Sequence, residues 1–255
     1  MHTRRKFLTN AAAVSGITFL PFKARAGNHG GDSFASATGE VLIFPKTHAS
    51  FVMQTPAGTI YVDPVGGAEL YADMPAPDLI LITHEHGDHY DPPTLQGVVR
   101  RNTALVSNPA VFDKMSPVHQ ELTTAIANGG SVGAGSATIA AIPAYNTTPE
   151  RLNFHPKGRD NGYVVSLDGL RIYISGDTED IPEMRALENI DIAFVSMNLP
   201  FTMDAAAAAS AVREFAPSYV YPYHYRGREN GTQDPAEFAK MLPEDVAVMF
   251  GNWYG

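Results

Sequence analysis

The sequence predicts an α/β fold built as a sandwich of sheets, on three observations. Strand-sized apolar runs alternate with helix-opening Asp-Pro and Pro-Pro signals along the first half of the chain. Two hairpins add antiparallel pairs, one turning at Pro56-Ala57-Gly58 and one at Asp168-Gly169. The 255 residues include an expected leader of 26, and the 229 left suit one domain or a double-sheet sandwich.

Residues 1–26 read as a twin-arginine signal peptide. Thr3-Arg4-Arg5-Lys6-Phe7-Leu8 forms the basic box, a mildly apolar stretch runs on to Leu20, and Ala24-Arg25-Ala26 offers the cleavage site. Residues 27–40, with four glycines among small polar residues, are expected to be a flexible leader, and 41–255 the folded domain. A short strand at 41–44 precedes a hairpin of 51–54 with 59–62, which Asp63-Pro64 closes. The run Leu79-Ile80-Leu81-Ile82 is a strand buried on both faces. Asp91 caps a helix opened by Pro92 and Pro93. A strand at 104–107, a helix at 109–115 and a strand at 137–143 follow. Strands 162–167 and 170–175 pair across Asp168-Gly169. A strand at 191–196 leads to an alanine-rich amphipathic helix over 204–215, capped by Thr202 or Asp204. A strand at 219–222, a helix opened by Asp234 and Pro235, and a strand at 246–250 complete the chain. No internal repeat is visible.

Composition narrows the function. There are 27 acidic and 18 basic residues, for a formal charge of −9, and losing the five basic and no acidic residues of 1–26 takes it to −14. That field disfavours nucleic acid and anionic membrane surfaces as partners of the mature protein. Without cysteine the chain has neither disulfides nor thiolate ligands, which suits an oxidising compartment. A periplasmic location is expected, with the twin-arginine machinery as the precursor's partner.

The stretch after the buried strand carries the chemistry. Thr83-His84-Glu85-His86-Gly87-Asp88-His89 places three histidines and an aspartate within six positions. His84 and His86 are two apart, so in extended backbone they leave on one side and can meet one ion. Asp88 and His89 follow a glycine that lets the chain turn, and can serve a neighbouring ion. Neutral imidazoles with a carboxylate suit zinc, with manganese or iron also open. Glu85 is expected to face away.

His-x-His-x-Asp-His after an apolar strand resembles the signature of the metallo-β-lactamase superfamily, from about Val41 to the C-terminus. The resemblance implies a four-layer αβ/βα sandwich of two mixed sheets flanked by helices. His48-Ala49-Ser50, Gly176-Asp177-Thr178 and Thr202-Met203-Asp204 together resemble the branch containing L-ascorbate 6-phosphate lactonase and its relatives. His48 either hydrogen-bonds the site or caps a turn, and Asp63-Pro64 is read as structural. By the resemblance His84, His86 and a third histidine hold the first ion, Asp88, His89 and His224 the second, and Asp177 bridges. Where the third histidine is expected, Tyr145 and Asn146 stand instead. Either His155 swings in from the following loop, or Asn146 substitutes, or that ion is under-coordinated; imidazole binds a borderline metal far better than a carboxamide, which favours His155.

The implied function is a dinuclear hydrolase in which a hydroxide held by two divalent ions, zinc foremost, attacks a small ester, lactone or phosphoester. Asp88 and Asp177 are the residues expected to handle the attacking water. Arg226 and Arg228 could meet an anionic group on a small-molecule substrate, with Tyr145 and Tyr225 as pocket walls. A periplasmic β-lactamase is the alternative enzyme, which the bridging Asp177 counts against. A metal-binding protein without turnover is the alternative from another class.

Overall fold

The computed structural model describes Arg25–Ala26 and residues 31–254; the rest of the expected signal peptide lies outside the described residues. Eight strands form the first sheet in sequence order: β1 (Arg25–Ala26), β2 (Asp32–Ala35), β3 (Glu40–Thr47), β4 (Ser50–Thr55), β5 (Gly58–Val62), β6 (Leu79–Ile82), β7 (Ala104–Ser107) and β8 (Thr123–Ala125). The second sheet has seven: β9 (Ser131–Ala134), β10 (Ala137–Ala144), β11 (Asp160–Leu167), β12 (Leu170–Ile174), β13 (Ile192–Ser196), β14 (Tyr219–Tyr223) and β15 (Ala247–Val248), again in sequence order. Each sheet begins antiparallel and ends parallel, so both are mixed.

Side-chain alternation explains the four layers. Leu79 and Leu81 of β6 enter the core between the sheets, while Ile80 and Ile82 enter an outer core beneath α1 (Pro92–Val98). In β13, Ile192 and Phe194 point inward, whereas Ala193 and Val195 face a helix, Ala205–Phe215, on the far side. That helix approaches closely because its buried face is mostly alanine, and Asp204 caps it by accepting from Ala207 N–H. Between the sheets Phe51 stacks on Phe194 with ring centroids 4.0 Å apart, and Trp253 packs edge-on against both. Each such buried side chain contributes roughly 1.5–3 kcal/mol.

Several elements differ from expectation. Residues 32–35 form a strand rather than flexible leader, because Phe34 is buried against Tyr219 and Tyr221 and Tyr221 donates to Asp32 Oδ2. The last strand contracts to Ala247–Val248, and Phe250 is exposed. The helices Pro117–Glu121 and Pro182–Arg185 and the strands β8 and β9 escape sequence reading, since they are too short to display a period. Asp91 occupies the cap position of α1, but its carboxylate accepts from Thr94 Oγ1 rather than from the helix backbone.

The ends of β6, β12 and β14 lie along one edge of the sandwich. The sheets are tied there by Tyr163 Oη donating to Ile82 O (2.8 Å) and Asn161 N–H donating to Thr83 O (3.1 Å). His84, His86, His89, Asp177 and His224, which follow those strand ends, therefore face the same space.

Candidate metal centre

Five separate pieces of chain meet at the centre. His84, His86, Asp88 and His89 come from the turns after β6, Asp177 from the segment after β12, and His224 from the residue after β14. Gly176 makes the Asp177 turn possible: its φ is +60°, and a Cβ there would sit 2.7 Å from Asn161 O. His48 enters from the β3–β4 turn and His155 from the loop between β10 and β11.

The side chains converge as three groups, the first two sharing His84: His84 with His86 and His155; His84 with His89 and Asp177; and His48 with Asp88 and His224. Within each group the nearest donor atoms lie within 4.8 Å of one another. Asp177 reaches across, with Oδ1 3.4 Å from His89 Nε2 and Oδ2 3.5 Å from both His155 Nε2 and His224 Nε2. Of the two alternatives in the 144–158 loop, the structure brings His155 to the cluster. Asn146 stands behind it, its Oδ1 2.8 Å from His155 Nδ1.

Three of the rings are anchored on their outer face. His84 Nδ1 is 3.0 Å from Thr83 Oγ1, His89 Nδ1 2.8 Å from Asp63 Oδ2, and His224 Nδ1 2.8 Å from the Asn198 amide. Anchoring Nδ1 turns Nε2 toward the cluster, as metal-ligating histidines require. Asp63, read from sequence as structural, thus orients His89 while accepting from Thr83 N–H and Oγ1–H. Glu179, two residues past Asp177, accepts from the backbones and hydroxyls of Thr147 and Thr148 and so fixes the loop that carries Asn146.

The donor set fits a metal. His86 Nδ1 lies 3.1 Å from His84 Nε2 and 3.2 Å from His155 Nε2, a meeting of three nitrogens that wants a cation. Among the described residues, His89 Nε2, His224 Nε2 and Asp177 Oδ1 are buried without a hydrogen-bond partner. Each such orphan costs roughly 1–3 kcal/mol, and a divalent ion satisfies all of them. Burial pushes the His155 imidazole down to about 4 and holds His84 and His86 below the usual range, so all three are neutral at pH 7, the form a metal requires. For Asp177 burial opposes ionisation, but the surrounding imidazoles of His224, His89 and His84 outweigh it and keep the carboxyl well below its usual range. His89 is buried too, yet Asp177 and Asp63 raise it.

A cavity of about 170 Å³ opens onto these atoms, lined by His86, Asp88, His155, Asp177, Phe201, His224 and Arg228. Three expected substrate contacts lie elsewhere. Tyr145 is buried in the core beneath the helix Ala205–Phe215, where Oη donates to Glu183 and accepts from Lys157, and it lines no part of this cavity. Arg226 lays its guanidinium over the Tyr254 ring, 4.0 Å from the centroid, which draws it away. Tyr225 packs on the same ring. Arg228 takes the position instead, over the Phe201 ring. Glu85 faces away, paired with Lys114 and Arg159.

Known proteins share this arrangement of chain. The β-lactamase superfamily domain matches residues 45–224. A UPF0173 metal-dependent hydrolase from Thermococcus kodakarensis is 30% identical over 79% of this chain and 92% of its own. A crystal structure from Parabacteroides distasonis superposes with a TM-score of 0.77 at 39% identity, covering 90% of this chain and 98% of that one. The metallo hydrolase Igni18 from Ignicoccus hospitalis gives a TM-score of 0.65 at 25% identity, over 82% and 95% of the two chains.

Proposed function

The chain belongs to the metallo-β-lactamase superfamily and to the UPF0173 metal-dependent hydrolase family within it, and from that premise we propose a dinuclear hydrolase of small esters, lactones or phosphoesters. The observation that carries two ions rather than one is the reach of Asp177, whose two oxygens face imidazoles of different groups. By the family resemblance His84, His86 and His155 would hold one ion and Asp88, His89 and His224 the other, with Asp177 between them; the donor atoms themselves group Asp88 and His224 with His48, and His89 with His84 and Asp177. The histidine-rich set favours zinc, followed by manganese and iron. When bound, such a pair ionises water near neutral pH and neutralises charge developing on a carbonyl or phosphoryl oxygen.

The chain's own residues do the rest. Asp88 borders the cavity with an exposed carboxylate, and the imidazoles of His224 and His48 overcome the burial that works against its ionisation. It therefore acts as a hydrogen-bond acceptor that holds and orients the attacking water. Phe201 offers an apolar face to the substrate. Arg228 is exposed at the cavity, and among the described residues its guanidinium forms no ion pair, so it can meet a carboxylate or phosphate on the substrate. A cavity of about 170 Å³ seats a small-molecule group beside the donor atoms. The export signal read in residues 1–26 supports action in the periplasm.

Elemental analysis of purified protein, followed by a panel of lactones, phosphoesters and β-lactams, tests this reading. Two ions per chain with turnover of an anionic ester, lactone or phosphoester is expected, and Arg228→Gln should raise KM about tenfold or more with kcat less affected. Full metal occupancy without turnover of any of these would favour a metal-binding protein instead.

A further inference from the structure

His48 and His224 stand at the same distance from one carboxylate oxygen and treat it differently. His48 Nε2 and His224 Nε2 are each 3.3 Å from Asp88 Oδ2. The His48 contact is aligned as a hydrogen bond, whereas His224 Nε2 has no hydrogen-bond partner. The ring of His48 thus aims an N–H at Asp88, while that of His224 aims past it into the cluster.

The far side of the His48 ring is equally particular. His48 Nδ1 lies 2.9 Å from Tyr254 Oη, and the same oxygen accepts from Arg226 N–H at 3.2 Å. A phenol already accepting from an amide has its own proton free to donate, and Nδ1 is the acceptor in reach. That leaves the proton of a neutral imidazole on Nε2, facing Asp88. The chain holds this geometry against its own preference: His48 has φ +52°, a left-handed conformation that is sparsely populated outside glycine. Three further contacts pin it. His48 N–H donates to Trp253 O, His48 O accepts from His224 N–H, and the two imidazoles overlap with centroids 3.7 Å apart.

Asp88 has reason to need such a partner. Its side chain is 48% exposed, against 4% for Asp177, so packing alone does not fix its rotamer. We propose that His48 is a positioning residue that fixes the Asp88 carboxylate by donating Nε2–H to Oδ2, and that Tyr254 dictates which ring nitrogen carries the proton. The consequence for an ion held by Asp88, His89 and His224 rests on the two-ion reading above; the tautomer and the hydrogen bond do not.

Two measurements test this. In metal-free protein, the nitrogen chemical shifts of the His48 ring should report an Nε2–H tautomer, and Tyr254→Phe should shift population toward Nδ1–H. An Nδ1–H tautomer in the unsubstituted protein would overturn the proposal. In protein loaded with cobalt(II), His48→Phe, which keeps a ring but no N–H, should weaken the second ion by about 10-fold or more and alter its visible absorption, leaving the first ion unchanged. His48→Gln, which can again donate at the Nε2 position, should recover most of that loss. Equal affinity and an unchanged spectrum in His48→Phe would overturn the proposal, as would a His48→Gln variant as impaired as His48→Phe. Uptake of a single cobalt ion by the unsubstituted protein would end the two-ion reading, and the tautomer measurement would still decide the proposal.

Discussion

The group of His84, His86 and His155 and the group of His48, Asp88 and His224 contain equal numbers of donors in contrasting surroundings. The first is enclosed: His84 and His155 are fully buried, and their outer nitrogens rest on Thr83 and Asn146. The second is half open, with Asp88 exposed and both histidines in left-handed backbone, φ +52° and +50°. Left-handed backbone at non-glycine residues costs of order 1–3 kcal/mol each, so the second group is held by its surroundings against local preference. The difference separates tasks. A buried set with low imidazole basicity retains an ion, and an exposed carboxylate beside a cavity is free to handle water and substrate.

The sharpest way to break this division is Asp177→Ala. Because Asp177 contacts His155 and His224, proposed ligands of different ions, its loss is expected to release both ions, read as metal content near zero by elemental analysis. Retention of one full ion would mean that the groups are independent. Next in size is Asp63→Ala, which strips His89 and Thr83 of a shared buried carboxylate and should destabilise the protein by about 3–5 kcal/mol in urea unfolding. Asn146→Ala on the enclosed side should cost less, about 1–2 kcal/mol, since Phe201 O remains 3.2 Å from His155 Nδ1. A larger loss at Asn146 than at Asp63 would invert the comparison.

The smallest effect is a pH slope. Burial lowers His155 from 6.5 to about 4, so between those values the unfolded chain holds a proton that the folded, metal-free chain refuses. Its stability contribution is full above about pH 6.5 and drains as pH falls towards 4, by at most about 1.4 kcal/mol per pH unit. His89, raised by its carboxylates despite burial, works in the opposite direction. Comparing His155→Ala with the unsubstituted protein isolates the first term: the variant's unfolding midpoint should fall less steeply over this window.

Legibility in the sequence follows the same division. The His84–His89 cluster and Asp177 are visible because each follows a strand whose period declares it and sits beside a glycine. The core strands are visible for the same reason, down to the alternation of Leu79 to Ile82 between two cores. His155 is less legible, since nothing periodic says that residue 155 rather than 146 turns inward; only ligand chemistry favoured it. His48, Asp63 and His224 each follow a strand end in a left-handed backbone that propensity argues against, and of the three only His224 is marked as a ligand by the family resemblance. Arg226 and Arg228 are indistinguishable on paper. What separates them is the Tyr254 ring, nearly thirty positions away.

Each sheet is drawn from one uninterrupted half of the chain, β1 to β8 ending at Ala125 and β9 to β15 beginning at Ser131. A cut at residues 126–130 would therefore yield two fragments with complementary faces, one bearing His84, His86, Asp88 and His89 and the other His155, Asp177 and His224. Neither fragment alone owns a complete coordination sphere, so divalent cations should act as the rivet that rejoins them. That would make a two-piece reporter whose reassembly tracks free metal concentration.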